Sequence, residues 1–164
     1  MGKRFFTFLI SAFLICSSCF ARQISVQVVQ HDLSLDYVSE QSLIVEDELL
    51  NGFFDQGYIV TNSEASISDS EERDNDLFHF GYGEAYDGAS DYFVQVKLFY
   101  DAANKKSKMD VTPCKLDHID LVVINVSSGK TIKESTIKGI EKSNTDDNVR
   151  LLSTTLIKEI RKAL

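Results

Sequence analysis

Proline occurs once in these 164 residues, at Pro113, glycine eight times, cysteine three times and histidine three times. So little proline and glycine excludes collagen-like and low-complexity chains. Three cysteines are too few for a disulfide scaffold, and no apolar run reaches the roughly 20 residues of a membrane-spanning helix. Basic residues are also in deficit. Against 25 Asp and Glu stand 17 Lys and Arg, a net charge of −8, which argues against a nucleic-acid binder that works by neutralising phosphates. What is present, 43% hydrophobic residues over the length of one ordinary domain, describes a globular chain with a core to bury.

The N-terminus stands apart. Met1-Gly2-Lys3-Arg4 is basic, Phe5 to Cys16 is mostly apolar, and Ser17-Ser18-Cys19-Phe20-Ala21 is rich in small residues. That three-part order is the pattern of a secretory signal peptide. It predicts a signal peptide over 1–21 and a single α/β envelope domain over 22–164. Two processing routes are open. Cleavage after Ala21 releases a soluble periplasmic protein that begins at Arg22. Lipoprotein processing at Cys19, which Cys16-Ser17-Ser18 precede without the usual Leu three residues before, tethers the domain at the outer membrane, each buried methylene contributing about 0.8 kcal/mol. Loss of 1–21 takes Lys3 and Arg4 with it, so the 17 basic residues become 15 against 25 acidic and the net charge moves from −8 to −10. Cleavage after Ala21 leaves Cys114 with no cysteine in its own chain to pair with, and a small buried hydrophobe is its simplest role.

The remaining chain alternates between the two hydrophobic periods. Ile24, Val26 and Val28 share one face of a half-buried strand, with Ser25 and Gln27 on the other. Ser39 to Gln56 carries Leu43, Ile44, Leu49, Leu50, Phe53 and Phe54 at helical spacings, with Ser39 placed to cap the start and Gly57 to end it. Tyr58 to Thr61 reads as a second strand. Residues 63–76 are polar and strongly acidic and read as a surface loop or an added frayed turn, while Leu77 to Ala89 fits a strand or a short helix. Tyr92 to Tyr100 alternates as a long central strand, and His118 to Val126 and Thr131 to Lys138 form a hairpin around Ser127-Ser128-Gly129-Lys130. Asp146-Asp147 open a final helix whose stripe is Val149, Leu152, Leu156, Ile160 and Leu164, with Lys158, Arg161 and Lys162 complementing the dipole at its end. The order β-α-β-(α)-β-β-β-α predicts an α+β, two-layer α/β fold: a mixed sheet of about five strands with two to three helices packed on it.

Three stretches carry a resemblance: Phe53-Phe54-Asp55-Gln56-Gly57-Tyr58-Ile59-Val60, Gly88-Ala89-Ser90-Asp91-Tyr92-Phe93-Val94, and Val122 to Ile132 with its Ser128-Gly129-Lys130 turn. In these the chain resembles the small periplasmic domain shared by the curli secretion lipoprotein CsgG, the penicillin-binding-protein activator LpoB and the amino-terminal domain of TolB. The resemblance spans most of 22–164 and implies an envelope location. Its motifs specify turns and core faces rather than chemistry. The acidic stretch 63–76 departs from the pattern as an insertion.

Catalytic constellations are sparse. His31, His79 and His118 lie on separate segments without an i,i+4 partner, and Asp69, Glu71, Glu72, Asp74 and Asp76 lack the Gly and Glu spacing of an EF-hand loop. There is no G-x-S-x-G, and the two glycine-containing turns lack Walker spacing. No cofactor is expected. The leading expectation is therefore a non-enzymatic accessory or protein-interaction module, with an envelope protein as partner, no nucleic acid, and membrane contact through an anchor at Cys19. Its candidate interaction residues are Asp69, Glu71, Glu72, Asp74 and Asp76 with the aromatics Phe78, Phe80 and Tyr82, since aromatics concentrate at interface centres. The alternatives are a hydrolase or redox protein using Cys114 and His118, and a small-molecule or calcium-binding module.

Overall fold

A computed structural model describes residues 21–32, 35–101, 115–138 and 145–164. Cys19 and Cys114 lie outside these residues. The elements run β1 (Gln23–His31), α1 (Glu40–Phe54), β2 (Ile59–Ile67), α2 (Glu71–Asp87), β3 (Tyr92–Asp101), β4 (Lys115–Asn125), β5 (Lys130–Lys138) and α3 (Asp146–Arg161). The expected mixed sheet of about five strands with two to three helices is what the described residues form, as five strands in the order β2-β1-β3-β4-β5 and three helices. β1 runs parallel to both β2 and β3, and β3, β4 and β5 are antiparallel.

Alternation sets the main core. Ile24, Val26 and Val28 of β1 meet Val94, Val96 and Leu98 of β3 and Ile119, Leu121 and Val123 of β4 on one face. α1 and α3 cover that face with Val45, Leu49 and Phe53 and with Val149, Leu152, Leu156 and Ile160. The two helices meet closely at Gly52, where a Cβ would come within 2.2 Å of Ile157 Cδ1. The interior glycine, which costs about 1 kcal/mol in helix propensity, is thus the point of contact between the helices.

The reverse face holds the larger departures from expectation. Residues 63–76 are not a loop: 63–67 complete β2, and Glu71 opens α2, which runs on through the stretch that sequence left between strand and helix. Two physical reasons account for this. β2 is an edge strand, so it tolerates exposed polar side chains. Ser70 accepts a hydrogen bond from the Arg73 N–H, and Glu71, Glu72 and Asp74 complement the positive end of the helix dipole. Because α2 crosses the reverse face, β1 is buried on both sides. Ser25 and Gln27, polar and expected at solvent, are 2% and 1% exposed. Gln27 Nε2 donates to the Leu77 carbonyl at 3.0 Å, and Gln27 Oε1 accepts from Gln95 Nε2 at 2.8 Å. Gly81 admits this approach, since a Cβ there would lie 2.7 Å from the Gln27 amide.

Candidate interaction surface

α2 separates the expected interaction residues by its period. Leu77, Gly81 and Ala85 face the sheet, and Phe78 and Tyr82 lie half-buried beside them. Phe78 packs edge-on to Phe93 at 5.7 Å and parallel to Tyr82 at 6.3 Å, while Tyr82 donates to the Val126 carbonyl at 3.0 Å. These two aromatics hold the helix down. Phe80 points outward and is 61% exposed. Glu71, Glu72 and Asp76 are exposed on the same helix, and Asp69 is exposed just before it.

Asp74 is the exception among the acids. It turns inward, with Oδ2 3.2 Å from Lys97 Nζ on β3 and Oδ1 2.9 Å from His31 Nε2 on β1. Among the described residues neither His31 Nε2 nor Asp74 Oδ1 has another hydrogen-bond partner. Burial holds the His31 pKa below its ordinary value of 6.5, and the Lys97 charge adds to this against the opposing pull of Asp74 and Asp120. His31 therefore stands neutral at pH 7 beside an ion pair of Asp74 and Lys97.

Sequence reasoning did not group the three rings that adjoin this trio. His31, Phe99 and His118 come from three neighbouring strands and stack in a row, with 4.2 Å between ring centres at each step. His118 Nδ1 lies 2.7 Å from Asp117 Oδ2. The signal that would have found the row is strand register, which pairs His31 with Phe99 and Phe99 with His118.

Beside the row, at the carboxyl ends of β1 and β2, opens a cleft of ≈ 450 Å³ lined by Asp32, Leu35, Asp36, Ile67, Asp69 and Arg73. Carboxyl ends of parallel strands are where open α/β sheets present their binding crevices. At this end of β1, Gln30 ties the strand to the start of α1: its Oε1 accepts from the Ser39 N–H at 2.7 Å and from Ser42 Oγ at 2.8 Å. The cleft opens at the start of α2, with Asp69 and Arg73 in its lining. Among the described residues, no three His, Cys, Asp or Glu side chains converge as a metal centre requires, and no helix is long and apolar enough to cross a membrane.

Comparison with known proteins adds family membership. No curated protein matches the chain. Among solved structures it is similar to TolB from Acinetobacter baumannii, with 10% identity and a TM-score of 0.47, over 88% of this chain and 28% of TolB. The chain thus spans under a third of TolB's length. It is similar also to a PelC dodecamer from Paraburkholderia phytofirmans, with 12% identity and a TM-score of 0.43 over 87% and 86% of the two chains. The third is the LpoB C-terminal domain from Salmonella enterica, with 11% identity and a TM-score of 0.38 over 80% and 93%. TolB and LpoB, two of the proteins whose motifs the sequence resembles, are thus among its structural neighbours, as a likeness of general architecture. Residues 23–164 match the model of a protein family described as "Uncharacterised protein", and the chain belongs to that family.

Proposed function

We propose that this chain is an exported bacterial envelope protein that acts without catalysis, as an accessory module docking a partner protein in the periplasm or at the outer membrane. The observation that carries the reading is the outer face of α2, where Phe80 stands 61% exposed on the same helix as the exposed Glu72, Asp76 and Glu84. An exposed aromatic ringed by carboxylates suits a partner segment that is basic and offers an apolar socket for Phe80. Export is supported by the basic, apolar and small-residue sequence of 1–21.

The test is a photo-cross-linking amino acid placed at Phe80 in living cells, with a second at Leu151 on α3 as the control. The expected result is one envelope protein captured at Phe80 and not at Leu151, with capture lost when Glu72→Lys and Asp76→Lys reverse the local charge. Capture that survives the charge reversal, or a protein that fractionates with the cytoplasm, refutes the reading.

A further inference from the structure

The opposite end of the domain carries side chains that this partner contact does not use. The parallel strands β1, β2 and β3 begin there and all three helices finish there. Between them an open pocket of ≈ 210 Å³ is lined by Arg22, Gln56, Gly57, Tyr58 and Arg161. Arg22 is held in position: Nη1 donates to the Leu164 carbonyl at 2.8 Å, and the guanidinium lies 5.8 Å from the centre of the Tyr92 ring. Among the described residues neither arginine pairs with a carboxylate side chain. Both arginines meet the negative end of α3, Arg161 from its last turn and Arg22 through the main-chain oxygen of Leu164. With five N–H donors on each guanidinium, the pocket has donors to spare for an anion.

Apolar side chains stand out at this same end. Phe54 is 70% exposed, Tyr86 64% and Ile59 51%. Asp55 and Asp87 are the exposed acids close by, and Asp91 is engaged in accepting from the Gln23 N–H at 2.8 Å. The acidic cleft lies at the far end of β1, whose nine residues span about 30 Å. That is several times the Debye length of about 8 Å in physiological salt, so its charge does not reach the arginine pocket. The chain also enters the domain here. Cys19 precedes Arg22 by three residues, a reach of about 10 Å fully extended.

We infer that this end of the domain docks on an anionic lipid surface, with Arg22 and Arg161 taking lipid phosphate and Phe54, Tyr86 and Ile59 entering the headgroup layer. The combination of guanidinium groups and exposed aromatic and aliphatic side chains is what a peripheral membrane contact requires. The inference rests on the exported reading for the membrane it meets. It gives the accessory module an orientation, with the acidic cleft at the end away from the lipid and Phe80 on the flank, about 9 Å back along α2 from Tyr86.

The chain contains no tryptophan, so Phe54→Trp installs a single reporter at the arginine end and Phe80→Trp one on α2. Each is made in the full chain, processed by the cell and purified. With phosphatidylglycerol vesicles at low salt, Phe54→Trp emission is expected to shift to the blue and gain protection from an aqueous quencher, more than with phosphatidylcholine vesicles, while Phe80→Trp stays unchanged. Arg161→Gln should weaken the phosphatidylglycerol-dependent part about fivefold, and Arg22→Gln with Arg161→Gln roughly 30-fold. An unchanged Phe54→Trp signal, an equal response from Phe80→Trp, or indifference to Arg161→Gln overturns the inference. So does a photo-cross-linker at Phe54 that captures a protein in cells. Failure of the Phe80 cross-link would refute partner docking and leave the vesicle response standing, so the two ideas fail separately.

Discussion

Gly52→Ala should destabilise the protein, and the same substitution should stabilise it once Ile157 has been shortened to valine. An alanine Cβ at position 52 would lie 2.2 Å from Ile157 Cδ1 and 3.3 Å from Cγ1, so the Cδ1 methyl accounts for nearly all of the clash. Ile157 is 9% exposed at the α1–α3 contact and has little room to turn. Overpacking of this kind costs about 1–3 kcal/mol, while replacing a helical glycine by alanine recovers about 1 kcal/mol of propensity. The net expectation for Gly52→Ala is a loss of up to about 2 kcal/mol. Ile157→Val alone removes the offending methyl and costs about 0.5–1.5 kcal/mol. In that background the 3.3 Å contact that remains needs only a small adjustment, so Gly52→Ala should now gain about 1 kcal/mol. Urea unfolding of the four proteins, with unchanged m values, measures this as a double-mutant cycle. If Gly52→Ala has the same sign in both backgrounds, the glycine is not there to admit Ile157 and the packing argument is wrong.

Four further outcomes are expected. Ala89 holds φ at +55°, in the left-handed region, so Ala89→Gly should raise stability by roughly 0.5–1 kcal/mol, read by thermal melting. Gln27→Leu strands the buried Gln95 amide and removes the second bond to the Leu77 carbonyl, which keeps its helix bond, and should cost about 1–3 kcal/mol, with Gln27→Leu and Gln95→Leu together costing less than the sum of the two single changes. The side-chain hydrogen bonds from Lys133 and Lys162 hold the Glu159 pKa down at about 2 against 4.5 unfolded. This contribution is present above pH 4.5 and lost as pH falls toward 2, so Glu159→Gln should flatten that part of the acid unfolding curve. The His31 pKa is lowered chiefly by burial. Below pH 6.5 the unfolded chain therefore binds the proton first and stability falls, a slope that His31→Leu should remove and that an NMR titration of the His31 ring would place below 6.5.

Period-2 alternation located β1 and β3, the Ser127-Ser128-Gly129-Lys130 turn located the β4–β5 hairpin, and the caps at Ser39 and Gly57 bounded α1, because each of those signals is local to its own segment. The reverse face was illegible for a non-local reason. Ser25 and Gln27 look like a solvent face until α2 is known to lie over them and a backbone carbonyl to meet the Gln27 amide. The acids at 69–76 read as a solvated loop, yet Asp and Glu behind a capping serine are also what a helix start favours. Composition alone does not separate those two cases. A helical period applied to 77–86 would have turned Phe78 and Tyr82 inward and Phe80 outward. The ring stack needs the register of three strands whose pairing spans most of the chain.

The position of β1 bears on how the domain carries load. It is the first strand among the described residues, yet it is flanked on both sides by parallel partners, β2 and β3. A pull on the N-terminus, directed along β1 and resisted by a partner held at its far end, slides that strand between two hydrogen-bond ladders rather than peeling it from an edge. All the bonds of both ladders then share the force at once instead of breaking one after another. A pull along this strand is thus met by two ladders in shear, where an edge strand would meet it with one.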